Sequence, residues 1–205
     1  MVEKIIELKK SPLKKEIDNR INEFKSLNSR DSREWFSELC FCLLTANTSA
    51  ELGLKVQKEL GFEGFANNKN EEELALKLKR AGYRFYNKRA HYIFMANKFK
   101  SNLKEIILSN NNKRDWLVNN FKGLGFKEAS HFLRNIGFLD YAILDKHVLR
   151  VLEEHGIIDF VPKSLNKNNY ELIEKKLALV CEETNTTQGE LDLYLWSMKT
   201  GRIIK

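Results

Sequence analysis

The residues with the clearest chemical signal lie in the segment KGLGFKEASHFLRNIG, residues 122–137. Gly123 and Gly125 allow one helix to end, the chain to turn through positive φ, and a second helix to begin within a few residues. Such a hairpin exposes backbone N–H groups at the start of the second helix, where they suit a phosphate oxygen. Lys127 falls in the first turn of that helix, although the helix macrodipole favours carboxylates there. Helix electrostatics therefore do not explain a lysine at this position, which points to a functional role.

Lys127 gains a chemical interpretation when it is considered together with Asp145. The positive helix end disfavours an ammonium group and favours the neutral amine, which can attack a carbonyl-like carbon and form a Schiff base. Asp145 opens the segment DKHVLRVL, whose apolar spacing predicts a helix with Asp145 as its N-cap. A carboxylate held there is also a fixed negative charge that can stabilise an oxocarbenium-like sugar cation. The residues alone leave two alternatives open, a solvated lysine on a tight turn and an aspartate that only caps a helix.

The segment GYRFYNKRAHY, residues 82–92, interleaves aromatic and basic side chains. An exposed aromatic ring such as Phe85 can wedge into the gap that an extruded nucleotide leaves, while a neighbouring Arg84 holds the DNA backbone. The alternative is that Phe85 and Tyr86 are core residues at the start of a helix.

Helix-period patterns dominate the whole chain, and no segment alternates like a strand. The sequence predicts an all-α protein with short connections. A nearly all-apolar helix is expected at EWFSELCFCLLTA, and a capping box at TSAE opens a helix that stops near Gly61. The helix after the glycine turn is predicted to be amphipathic. Its apolar stripe comprises Phe126, Ala129, Leu133 and Ile136, and its other face carries Lys127, His131 and Arg134.

Composition limits the class of protein. The chain has 205 residues, and 35 basic against 28 acidic residues give a net charge of +7, which favours a polyanionic partner without proving one. Cys40, Cys42 and Cys181 are too few for a disulfide framework or a four-cysteine cluster, so buried reduced thiols are expected. No apolar run is long enough to span a membrane, and the N-terminus lacks the apolar core of a signal peptide. The sequence therefore favours an intracellular protein, and no spacing typical of metal ligands is present.

The glycine hairpin that ends in a lysine, with an aspartate 18 residues further on, resembles the helix-hairpin-helix DNA glycosylase superfamily. The segments KEASHFLRNIG, AILDKHVLR, LTAN, YRFYNKRA and LDLYLW narrow the resemblance to the archaeal-type (type 2) 8-oxoguanine DNA glycosylase/lyases. The similarity extends from about residue 17 to the end of the chain. It implies two helical lobes, residues 30–135 and residues 1–29 with 136–205, with a DNA-binding cleft between them.

The resemblance also implies roles for individual residues. Lys127 matches the Schiff-base lysine, whose presence implies lyase activity besides base excision, and Asp145 matches the catalytic aspartate. No cofactor is implied. Residues matched to DNA binding are the hairpin backbone at Lys122, Gly123 and Gly125, together with His147, Arg84, Phe85 and Asn47. Residues matched to recognition of the damaged base are Trp196 and the terminal Lys205, for which core packing and a frayed terminus are the respective alternatives.

Cysteine usage separates branches of this superfamily. Only Cys181 lies beyond the hairpin, so the C-terminal iron–sulfur cluster of the endonuclease III-like and adenine-glycosylase-like branches cannot form. The expected function is therefore removal of 8-oxoguanine from duplex DNA and β-elimination at the abasic site, by a cytoplasmic, nucleoid-associated monomer. Two alternatives remain, a non-enzymatic helix-hairpin-helix module that binds DNA and a related glycosylase with a different lesion.

Overall fold

The structure, a computed structural model, describes residues 1–203, and these form an all-α fold in which no β-strand occurs. The fold class predicted from the sequence is therefore confirmed. The α-helices are α1 (Val2–Leu8), α2 (Leu13–Asn28), α3 (Ser32–Thr45), α4 (Ala50–Ala66), α5 (Glu71–Arg80), α6 (Tyr86–Ala96), α7 (Leu103–Ser109), α8 (Lys113–Asn120), α9 (Phe126–Asn135), α10 (Lys146–Glu154), α11 (Lys167–Thr184) and α12 (Gln188–Thr200), with a short 3₁₀-helix at Asn97–Phe99. Within residues 1–203, no helix combines the length and apolar character that a membrane crossing requires.

The chain divides into two compact units. The middle unit spans residues 27–132, and the terminal unit comprises residues 1–26 together with the chain from residue 133 onward. From the sequence, the middle lobe was expected to span residues 30–135. Both of these expected limits lie three residues later in the chain than the limits of the middle unit. The second division falls within α9.

The middle unit is built around α3. Its apolar side chains point in almost every direction, and Trp35, Phe36, Leu39 and Phe41 have no exposed surface. The neighbours of α3 include α4, α6 and α7. Because a helix that is apolar all round must be surrounded by protein, this packing explains the composition of the segment. The prediction of a buried helix is confirmed.

The start of α4 lies one residue away from the predicted capping box. Thr48 was expected as the N-cap, whereas Ser49 occupies that position and accepts a hydrogen bond from the N–H of Leu52 at 3.2 Å. Thr48 instead donates its hydroxyl to the carbonyl of Leu44 in α3. The predicted stop is confirmed, because Gly61 has a φ of 57° and interrupts the helical path before helical turns resume.

The terminal unit positions the start of α10. α10 packs on α12, and α11 packs on both α1 and α12. The Tyr170 hydroxyl in α11 accepts the N–H of Leu144 at 3.1 Å and donates to the carbonyl of Ala142 at 2.8 Å. These two bonds fix the segment that leads directly into Asp145.

The three cysteines are buried and remain reduced thiols, as expected. Burial raises the pKa of Cys40 well above its ordinary range and raises the pKa of Cys181 to about 11. Because a thiol with a raised pKa stays protonated, the reactive thiolate is scarce near neutral pH. We therefore expect the native protein at about pH 8 to react with DTNB at less than about a tenth of the rate of the unfolded chain. Equal rates for native and unfolded protein would contradict this expectation.

Candidate active site

The glycine hairpin between α8 and α9 depends on Gly123 for two reasons. Its φ is 87°, a left-handed conformation that side chains disfavour. A Cβ at this position would also lie 2.3 Å from Cδ2 of Tyr92, whose ring therefore packs directly against the Gly123 backbone. Tyr92 belongs to α6, so the conformation of the turn is set both by its own sequence and by a neighbouring helix.

Replacing Gly123 with alanine should lower the free energy of unfolding by about 2–4 kcal/mol, because it adds left-handed strain to a steric clash. Gly82→Ala is a matched control, since Gly82 has a φ of 83° but a Cβ there would meet no atom within 4 Å. The control should lose only about 1 kcal/mol. Urea denaturation measures both values. Equal losses would show that the Tyr92 ring moves aside without cost.

Gly125 serves the hairpin differently from the prediction. The residues of positive φ do not include Gly125, so only one of the two glycines makes the left-handed turn. The N–H of Gly125 donates to Oε2 of Glu128 at 3.2 Å, and its carbonyl accepts the N–H of Ala129 at 2.9 Å. An acidic side chain three residues into a helix that accepts the N-cap N–H is one half of a capping box.

Lys127 lies in the first turn of α9, and its side chain is 30% exposed. Its Nζ is 3.3 Å from Oε1 of Glu128, whose side chain is only 16% exposed. Glu128 thus divides its two oxygens between the Gly125 backbone and the Lys127 amine. This partner was not predicted from the sequence, although an acidic residue at the third position of a helix is a recognised signal.

The two other residues predicted to share a face of α9 with Lys127 are buried. His131 and Arg134 are 8% and 3% exposed. In the middle unit the His131 ring packs edge-on against Phe41, with centroids 5.6 Å apart. In the terminal unit the guanidinium of Arg134 pairs with the buried carboxylate of Asp192. Helical spacing alone grouped these side chains with Lys127, but their partners lie far away in sequence.

Asp145 is the N-cap of α10, which confirms the local prediction. Its Oδ1 accepts the N–H groups of His147 and Val148, both at 2.8 Å. These bonds satisfy two of the unpaired donors at the helix start and hold the carboxylate in one orientation. The side chain remains partly exposed, so a fixed negative charge is accessible at the positive end of a helix.

His147 and Trp196 form a pair of rings in the terminal unit. Their centroids are 4.9 Å apart and their planes are nearly perpendicular, at 84°. Nδ1 of His147 and Nε1 of Trp196 are both buried without a hydrogen-bond partner among the described residues. Because buried polar atoms are seldom left unpaired, the two unpaired nitrogens of this ring pair distinguish this place from ordinary core packing.

Phe85 is exposed rather than buried in the core. It precedes the first residue of α6, its side chain is 37% exposed, and the guanidinium of Arg84 lies 4.6 Å from the centre of its ring. The neighbouring Tyr83 is buried and donates its hydroxyl to the carbonyl of Leu44. Tyr83 therefore anchors the segment in the protein core, and Phe85 projects from it.

The turn after α3, which contains Asn47, is anchored by Arg89, a residue that was not singled out in the sequence. Asn47 is exposed and has a φ of 62°, which is unusual for a residue other than glycine. The buried Arg89 of α6 donates from Nη2 to the carbonyl of Ala46 at 2.6 Å. A single helix, α6, therefore supports the Asn47 turn through Arg89 and the hairpin through Tyr92.

Comparison with known proteins decides the family. The family model described as 8-oxoguanine DNA glycosylase matches residues 17–186. A Methanocaldococcus jannaschii protein named 8-oxoguanine DNA glycosylase/AP lyase is 51% identical over 208 aligned residues, covering 100% of this chain and 99% of that protein. The chain belongs to the 8-oxoguanine DNA glycosylase family. The resemblance indicated by the motifs is confirmed.

Solved structures of 8-oxoguanine DNA glycosylases share this fold. The Methanocaldococcus jannaschii 8-oxoguanine glycosylase/lyase in complex with a 15mer DNA containing 8-oxoguanine gives a TM-score of 0.95 over 100% of this chain and 99% of that chain. The enzyme of Thermotoga maritima, 42% identical, gives 0.92 over 100% and 98% of the respective chains. A trapped endonuclease III–DNA intermediate, 19% identical with a TM-score of 0.55, shares the fold alone.

In this member of the 8-oxoguanine DNA glycosylase family, the residues singled out in the sequence fall in both units. The middle unit contains Asn47, Arg84, Phe85, Lys122, Gly123, Gly125 and Lys127, and the terminal unit contains Asp145, His147 and Trp196. Lys205 lies outside the residues that the structure describes. In the described part of the chain, no group of three or more His, Cys, Asp and Glu side chains is arranged to hold a metal ion.

Proposed function

We propose that this protein excises 8-oxoguanine from duplex DNA and then nicks the strand at the resulting abasic site by β-elimination. The observation that carries the proposal is the partly exposed amine of Lys127, placed at the start of a helix directly after a glycine hairpin. Relatives named 8-oxoguanine DNA glycosylase/AP lyase, which align with the whole chain, support both the substrate and the two activities.

Binding begins with the phosphates of the duplex. The net charge of +7 attracts DNA, and the hairpin backbone at Lys122, Gly123 and Gly125 is exposed to a phosphate, with the Gly125 N–H already donated to Glu128. Asn47 and His147 supply further contacts to the DNA. Because phosphate contacts release counterions, binding should weaken steeply as the salt concentration rises.

The lesion must leave the base stack before a side chain can reach its sugar. Extrusion costs a few kcal/mol of unstacking, and the exposed Phe85 ring fills the gap while Arg84 holds the backbone. Trp196 and Lys205 then recognise the damaged base. The unpaired Nε1 of Trp196 supports this role, since a buried donor without a partner is uncommon in an ordinary core.

The chemical steps use one amine and one carboxylate. Lys127 attacks C1′ of the deoxyribose as the base leaves, and Asp145 stabilises the positive charge that develops on the sugar. The resulting Schiff base acidifies the 2′ proton, and β-elimination breaks the strand on the 3′ side. These residues need no cofactor, and the proposed enzyme works as a cytoplasmic monomer on nucleoid DNA.

Borohydride trapping tests the proposed function directly. The protein is incubated with three duplexes, which carry 8-oxoguanine opposite cytosine, an abasic site, or no lesion. We expect a covalent adduct with the first two and none with the third. An adduct with the abasic duplex alone would support lyase activity but exclude 8-oxoguanine as the substrate. No adduct with any duplex would favour a non-enzymatic module that binds DNA.

A further inference from the structure

Lys127 can act as a nucleophile only after it loses a proton. An ordinary lysine side chain, with a pKa of about 10.4, is almost entirely protonated at neutral pH. The attack therefore needs a group that accepts this proton close to the reacting carbon. Within the middle unit, Oε1 of Glu128 lies 3.3 Å from the Lys127 amine.

We propose that the Glu128 carboxylate is this proton acceptor and is a further catalytic residue of the enzyme. The inference rests on the proposed role of Lys127 as the nucleophile. It adds a function for a residue that otherwise only caps α9.

The geometry holds Glu128 in place for such a transfer. Oε2 accepts the N–H of Gly125 at 3.2 Å, which fixes the carboxylate at the helix start and directs Oε1 towards the amine. The Glu128 side chain is only 16% exposed, so bound DNA would need to cover little of its surface to exclude water from the carboxylate.

Two other charged or titratable groups near this turn, Arg114 and His131, have partners of their own. On α8, Nη1 of Arg114 donates to Ser130 at 3.3 Å, and its guanidinium lies 5.0 Å from the centre of the Phe126 ring. One turn further along α9, the buried His131 ring packs against Phe41. Among the described residues, Glu128 is the carboxylate that forms an ion pair with Lys127.

The proton balance can be followed through Schiff-base formation at an abasic aldehyde. An N–H bond of the Lys127 ammonium breaks, its electron pair stays on nitrogen, and an O–H bond forms on Glu128. The amine adds to C1′, and proton transfer from nitrogen to oxygen gives a carbinolamine. Glu128 then returns its proton to the hydroxyl, which leaves as water. The products are the iminium ion, one water molecule and the regenerated carboxylate.

Glu128→Gln tests the proposal because glutamine can still accept the Gly125 N–H but cannot take a proton. Single-turnover trapping on an abasic duplex, with enzyme in excess, removes base excision and substrate affinity from the measurement. Glu73→Gln is the matched control, since Glu73 also accepts a backbone N–H, from Lys69 at 2.8 Å, and pairs with a lysine, Lys77 at 3.0 Å. Lys127→Gln is included in the same series.

Near pH 7 we expect Glu128→Gln to trap about 10²-fold more slowly than wild type, with an unchanged melting temperature and Glu73→Gln unaffected. The deficit should shrink as the pH approaches about 10, where a lysine loses its proton to solvent without help. A deficit that stays constant across the pH range, or no deficit at all, would reduce Glu128 to a helix cap. Trapping by Lys127→Gln at the wild-type rate would instead overturn the nucleophile itself.

Discussion

Replacing Lys127 with glutamine is expected to abolish both excision of 8-oxoguanine and nicking of an abasic duplex, by about 10³-fold or more. Glutamine is uncharged and has nearly the length of lysine, but its amide nitrogen cannot form a Schiff base. The backbone N–H groups of the hairpin remain, so the Kd for lesion DNA should change by less than about fivefold. Single-turnover cleavage and a fluorescence binding titration measure the two effects separately.

Lys77→Gln is the matched control for this variant. The Lys77 side chain is 32% exposed and pairs with Glu73, as Lys127 is 30% exposed and pairs with Glu128. Its replacement removes the same charge from the middle unit and should leave cleavage unchanged. Normal nicking of lesion DNA by Lys127→Gln would exclude the Schiff-base mechanism. In that event Lys127 would be a lysine on a turn that holds DNA.

Local signals in the sequence were sufficient for the helix starts and stops. Asp145 was expected as an N-cap because aspartate pairs well with unpaired N–H groups, and Gly61 was expected to stop a helix because it tolerates positive φ. The N-cap of α4 shifted from Thr48 to Ser49 because both hydroxyl residues can cap. Packing against α3 engages Thr48 and leaves Ser49 for the helix.

Contacts between residues distant in sequence were beyond prediction from helical spacing. The helical period of α9 placed Arg134 on the same face as Lys127. Arg134 is nevertheless buried, because it pairs with the buried Asp192, which lies 58 residues further along the chain. A positive φ at Gly123 was predicted from the sequence. The close packing of the Tyr92 ring against Gly123 was not, because Tyr92 belongs to a different helix. The local roles of Asp145 as a helix cap and of Gly123 as a turn residue were thus predictable from residue types, and the distant residues that hold these segments in place were not.

Replacing Asp145 with asparagine is expected to slow excision of 8-oxoguanine by about 10²–10³-fold, with little loss of stability. Asparagine caps helices about as well as aspartate, so the bonds to the His147 and Val148 N–H groups are retained. What disappears is the negative charge that stabilises the developing sugar cation. Single-turnover excision and thermal unfolding distinguish the loss of charge from the loss of the cap.

Asp31→Asn provides the matched control, because Asp31 caps α3 through the N–H groups of Arg33 and Glu34 at 3.0 and 3.1 Å. Both substitutions exchange one capping carboxylate for an amide, so a general effect of the exchange should appear in both. We expect only Asp145→Asn to lose excision, since only this carboxylate is assigned to the sugar. If Asp145→Asn retained excision within about threefold of wild type, the carboxylate would be a helix cap, and charge stabilisation would have to come from another group.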